Sequence, residues 1–126
     1  MIECLQLSNL SEKFPLSPEL EGLRYKSGAL ELLFSSVIDA KSGKTKIIFD
    51  WVHAFRVTDE GDLLKMLDEQ KGIMLTGIYV VKNSKYLEWF NEQRGNRHDD
   101  VVHYLFSTVE DVVDVLSSVK PSVGII

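Results

Sequence analysis

Two stretches near the middle of the chain alternate between apolar and polar positions with a period of two, the signature of a β-strand with one buried face. In residues 28–39, Leu30, Leu32, Phe34, Ser36 and Ile38 fall on one face. In residues 44–57, Ile47, Phe49, Trp51, His53, Phe55 and Val57 share a face, and Lys46, Ile48, Asp50, Val52, Ala54 and Arg56 share the other. The link Ala40-Lys41-Ser42-Gly43 has the length and the glycine of a hairpin turn, so a long β-hairpin over 28–57 is expected.

Beyond the hairpin the period changes. Leu63, Leu64, Met66 and Leu67 lie at helical spacing in 59–71, with Gly72 placed to end the helix. Residues 73–81 read as a buried strand. Tyr86, Leu87, Trp89 and Phe90 predict a helix over 84–94, with Asn83 or Ser84 as N-cap and Gly95 as stop. Residues 101–107 read as another strand. Thr108-Val109-Glu110-Asp111 resembles a capping box, and Val109, Val112, Val113, Leu116 and Val119 form a stripe that predicts a third helix ended by Pro121. Residues 123–126 suit a short final strand. Residues 1–27 carry little periodic signal, and Pro15 and Pro18 interrupt regular structure there. The expected order is ββαβαβα: an α+β domain with a mostly antiparallel sheet, built on a long N-terminal hairpin, and about three helices.

Composition narrows the function classes. A chain of 126 residues with 44% hydrophobic and 26% charged residues fits one globular domain without disulfide or metal staples. The single cysteine, Cys4, excludes a disulfide framework and suits a reducing, cytoplasmic compartment. The opening stretch lacks a basic region followed by an apolar run, so no secretory signal is expected, and no apolar run is long enough for a membrane span. A net charge of −5 speaks against nucleic acid as a partner. The acids cluster: Asp59, Glu60, Asp62, Asp68 and Glu69 face Lys65 alone within 59–69, and Asp99, Asp100, Glu110, Asp111 and Asp114 face Lys120 alone within 98–126. Such faces are either solvated surface or a complement to a basic partner.

No grouped catalytic chemistry stands out. Gly43-Lys44-Thr45 ends like a phosphate-binding loop, but Ile38 occupies the position of its first glycine, and the segment joins two strands instead of opening a helix. His98, Asp99, Asp100 and His103 lack the spacing of a metal motif, and no cofactor is implied. Adjacent helical positions point about 100° apart, so Trp89 and Phe90 do not share one core face; Trp89 is the candidate to reach a partner. These features favour a binding protein over an enzyme.

Three stretches carry a resemblance. Phe49-Asp50-Trp51-Val52-His53-Ala54-Phe55-Arg56-Val57-Thr58-Asp59-Glu60-Gly61-Asp62, then Asn83 to Phe90, then His103 to Ser117 followed by Pro121 are similar to segments of small acidic bacterial proteins encoded beside secreted toxins. The chain resembles immunity proteins of contact-dependent growth inhibition systems. The resemblance implies a cytoplasmic protein that binds and blocks a cognate toxin domain, in many cases a nuclease, and it carries over no catalytic or binding residues. Charge clustering nominates Asp59, Glu60, Asp62, Asp99, Asp100, Glu110 and Asp111 for the contact, with Trp89 as an aromatic anchor. The competing reading is a housekeeping or regulatory protein-binding domain, self-associating or otherwise, without catalytic activity.

Overall fold

The computed structural model describes residues 3–39, 41, 43–59, 76–95 and 100–126. Among these, strands dominate: β1 (Cys4–Leu7), β2 (Pro18–Lys26), β3 (Ala29–Ser36), β4 (Thr45–Phe49), β5 (Ala54–Asp59), β6 (Gly77–Lys82), β7 (Val102–Ser107), β8 (Asp111–Ser117) and β9 (Ser122–Ile125). One α-helix, α1 (Lys85–Arg94), and a 3-10 turn at Asn9–Lys13 complete them. The strands form a five-stranded sheet in the order β1-β6-β7-β8-β5 and a four-stranded sheet in the order β2-β3-β4-β9, antiparallel throughout. The α+β expectation with about three helices is thereby corrected to a mostly antiparallel two-sheet β architecture. The helix expected over 59–71 lies outside the described residues.

The helix expected after Thr108 is a strand, and the reason is specific. The Asp111 N–H donates to Thr108 Oγ1 at 2.9 Å, the bond a helix N-cap would make. Here the Thr108 N–H and hydroxyl both return to the Asp111 carbonyl, at 2.9 Å each, and close a β-hairpin instead. Residues 112–117 are buried without interruption, so apolar side chains on both faces of a strand imitate a helical stripe. Val112, Val113 and Val115 are β-branched and favour the extended form.

The expected hairpin exists but is shorter. β3 and β4 pair from Leu30↔Phe49 to Phe34↔Thr45, after which the chain leaves the sheet and re-enters the other one as β5. Neighbouring segments satisfy the corner. The Val52 N–H donates to the Gly28 carbonyl at 2.8 Å, the His53 N–H to that of Leu116 at 2.8 Å, and the Ser117 hydroxyl to that of Trp51 at 2.6 Å. The phase slips there, so that Val52 is buried and Trp51 is 50% exposed.

A second hairpin, β2–β3, lies in the weakly patterned N-terminal region. Its turn residues Ser27 (φ 51°) and Gly28 (φ 91°) both have positive φ, as a two-residue type I′ turn requires. Trp51 covers this turn so closely that a Cβ on Gly28 would meet its ring at 2.2 Å. Pro18, expected to break structure, is buried at the start of β2.

The main core fills the space between the sheets. Leu30, Leu32, Phe34, Ile47 and Phe49 meet Ile78, Tyr104, Phe106, Val113 and Val115 there. Phe34 stacks on Phe106 at 5.8 Å, and Phe49 meets Tyr104 edge-on at 5.3 Å. On the outer face of the five-stranded sheet, α1 brings Tyr86, Leu87 and Phe90 onto Val101, Leu116 and Ala54. No helix among the described residues is long and apolar enough to cross a membrane. Leu116→Ala is expected to cost about 2–5 kcal/mol, because its cavity would open beneath α1; urea denaturation of the variant measures it.

Candidate partner-binding surface

α1 begins where the sequence reading put it. Ser84 caps it by accepting the Leu87 N–H at 3.0 Å, and Gly95 ends it at φ 72°. The cap is also the start of a buried polar chain. Ser84 Oγ lies 2.6 Å from His103 Nδ1, and His103 Nε2 lies 2.6 Å from Asp114 Oδ1. Asp114 Oδ2 receives Arg56 Nε at 2.9 Å. Strand register accounts for the meeting: Arg56 is directly opposite Asp114, and His103 is opposite Leu116, diagonal to Asp114. With the imidazole hydrogen on Nε2, His103 donates to Asp114 while Nδ1 accepts from the Ser84 hydroxyl, so each group in the chain has a partner.

Three of these residues repeat the types of a hydrolytic Ser-His-Asp triad, but their placement suits a structural tie. A nucleophilic serine must present its oxygen to substrate. Ser84 is 8% exposed with its oxygen already capping α1, and His103 and Asp114 are buried to 1% and 0%. The chain fastens α1 to β7, β8 and β5. A fully buried carboxylate is costly unless paired and hydrogen-bonded, and Asp114 has both kinds of partner. The sequence reading counted Asp114 among surface acids and missed this role. The usable signal was its place among buried valines in a strand.

The tie extends to the surface through an aromatic stack. The Arg56 guanidinium sits 4.0 Å from the Tyr86 ring centre, and Trp89 stacks on Tyr86 at 6.0 Å and 16°. Trp89 is 52% exposed, whereas Phe90 is half-buried against His53 at 5.6 Å. Burial pushes the Tyr86 phenol above its ordinary pKa, with Arg56 pulling it down and Asp114 pushing it up; burial likewise raises Tyr79 and Tyr104.

The proposed acidic contacts are redistributed. Glu60, Asp62 and Asp99 lie outside the described residues. Asp100 is exposed just before β7, whereas Glu110 and Asp111 lie beyond its far end at the β7–β8 turn, so these three do not form one surface. Asp59 instead joins the latter pair: it is the last residue of β5 and stands directly opposite Asp111. The Val109 N–H donates to the Pro18 carbonyl at 3.0 Å, which brings exposed Glu19 to the same corner. Asp111 opens a strand and not a helix, which removes the helix-dipole explanation for it.

The other candidate motifs resolve simply. Lys44, in the segment resembling a phosphate loop, pairs with Glu21 at 2.7 Å and holds that carboxyl below its ordinary pKa. Cys4 is exposed on β1. Among the described residues, no three His, Cys, Asp or Glu side chains group as metal ligands. Comparison with protein families, curated proteins and solved structures finds no match to this chain.

Two outcomes are expected. Asp114→Ala leaves His103 and Arg56 without their acceptor and should cost about 3–5 kcal/mol, as for one partner removed from a buried pair; Lys46→Ala, which breaks an exposed pair with Glu31, should change little. Phenols with raised folded-state pKa values contribute stability that is complete below the unfolded value of about 10 and lost as pH rises through the folded value. Denaturation midpoints should therefore fall above about pH 10, and less steeply in Tyr104→Phe.

Proposed function

We propose that the chain is a cytoplasmic immunity protein that binds a cognate bacterial toxin domain and neutralises it. The observation that carries the reading is the acidic corner formed by Asp59, Glu110 and Asp111. The fold sets Asp59 opposite Asp111, beside exposed Glu110, and this grouping of carboxylates suits a basic partner. Nuclease domains are commonly basic because they hold phosphates, and opposite charge accelerates their capture. The sequence resemblance supports the same class of partner. Blocking requires only binding, so the protein needs no cofactor and no catalytic residue of its own.

Asp111→Lys separates the functional role from a structural one. It would place opposite charges across β5 and β8, so stability should hold or rise by up to about 1 kcal/mol. Association with the toxin domain encoded beside this chain should nevertheless slow, with a weaker dependence on ionic strength, and toxin-exposed cells should lose protection. Stopped-flow binding across a salt series measures this. Wild-type rates in the variant would remove the acidic contact. Absence of binding by any neighbouring toxin domain, together with self-association of the chain in sedimentation, would replace the immunity reading with that of a self-associating domain.

A further inference from the structure

α1 carries three aromatic side chains, and their partners differ. Tyr86 has the Arg56 guanidinium 4.0 Å from its ring centre, and Phe90 has that of Arg94 at 5.0 Å. Trp89 stacks on Tyr86 and is 52% exposed, and among the described residues no cation sits on it. Of the aromatic side chains, tryptophan attracts a cation most strongly to its face. Arg56 shows what completes such a seat: its guanidinium lies on a ring while its Nε donates to the Asp114 carboxylate at 2.9 Å.

Carboxylates stand beside Trp89 as well. Glu92, three residues on, neighbours it on the helix surface, and Glu88 neighbours Glu92 one turn back. Both are exposed, and neither enters an ion pair among the described residues. Two bases nearby are already accompanied. Arg56 is held by Asp114, and Lys85, one turn before Trp89, lies beside Glu3, whose carboxylate accepts its N–H at 2.8 Å. Helix stability does not account for the two glutamates. Like charges one turn apart repel, and Glu92 lies in the last turn, where the helix dipole disfavours an acid. The exposed side of α1 thus joins an aromatic face to two carboxylates outside any ion pair, which is the complement of a guanidinium.

We infer that the exposed face of Trp89, with Glu92 and Glu88 at its border, seats an arginine side chain of the partner protein. The arginine repeats on the outside what Arg56 does within. It lays its plane on the ring and turns its N–H donors toward carboxylate. Tyr86, backed by Arg56 and Asp114, holds Trp89 in place before binding, so little side-chain freedom remains to be lost there. The inference deepens the immunity reading by naming what the toxin domain presents to α1, and it rests on that reading for the identity of the partner.

The test has two arms. In the first, a short peptide alternating arginine and glycine is titrated into the isotopically labelled protein. The Trp89 indole N–H and the amides of 88–92 should shift together, while the indole of Trp51, also half exposed, stays in place. The same peptide with citrulline, which keeps the shape of arginine without its charge, should bind about tenfold or more weakly. Equal shifts of both indoles, equal binding of the citrulline peptide, or no shifts at all would overturn the inference. In the second arm, Trp89→Leu, an exposed substitution by a good helix former, should weaken the neighbouring toxin domain about tenfold or more. Glu88→Gln combined with Glu92→Gln, which leaves the aromatic stack untouched, should weaken it too and flatten its dependence on ionic strength. Toxin affinity unchanged in both variants would overturn the seat and leave the immunity reading standing. An arginine peptide that docks on Trp89 while no toxin domain binds would keep the seat and remove the immunity reading.

Discussion

Asp114 is the constraint to which the five-stranded sheet and its helix both answer. A fully buried carboxylate in β8 must be neutralised and hydrogen-bonded where it stands. The nearest positions across the ladder supply that: Arg56 from β5 and His103 from β7. Satisfying His103 in turn engages Ser84, so the cap of α1 is set by the same chain. The helix therefore does not rest on apolar contact alone. Its first residue is fixed in register with β7 and β8, and the aromatic pair Tyr86 and Trp89 follows from that position.

The same tie organises the surface. Arg56 is half inside and half out, with its Nε on Asp114 and its guanidinium over Tyr86. Trp89 then extends the stack into solvent as a rigid aromatic plane, the kind of side chain that anchors interfaces. On the other side of β5, the Val109 N–H donates to the Pro18 carbonyl and the Val52 N–H to that of Gly28, which ties the two sheets together, and Leu23, Tyr25 and Val57 stay exposed nearby.

Local chemistry was legible in the sequence, and long-range placement was not. The Ser84 cap, the Gly95 stop and the β7 and β9 strands follow from short-range rules, and so does the pairing of residues 30–34 with 45–49. Thr108 shows the limit: its side chain makes the same bond to the Asp111 N–H whether a helix or a hairpin follows, and only burial of both faces of 112–117 decides between them. The break after Phe49 is equally invisible, because alternation continues through it while the strand changes sheets. In the N-terminal region, Ser27-Gly28 was a readable two-residue turn, obscured by the charged and exposed pattern of β2. Charge counting nominated Asp59, Glu110 and Asp111, but it could not tell them from Asp114, whose role depends on which strands lie beside β8.

Amide hydrogen exchange in the wild type and in Asp114→Ala tests the role of the buried carboxylate most directly. In the wild type, the β5 amides bonded to β8 and the Leu87 amide bonded to Ser84 should exchange slowly. In Asp114→Ala both should lose protection together, because the strand pairing and the helix cap hang on one chain of hydrogen bonds. Loss confined to β8 and β5, with the Leu87 amide as protected as before, would contradict the account.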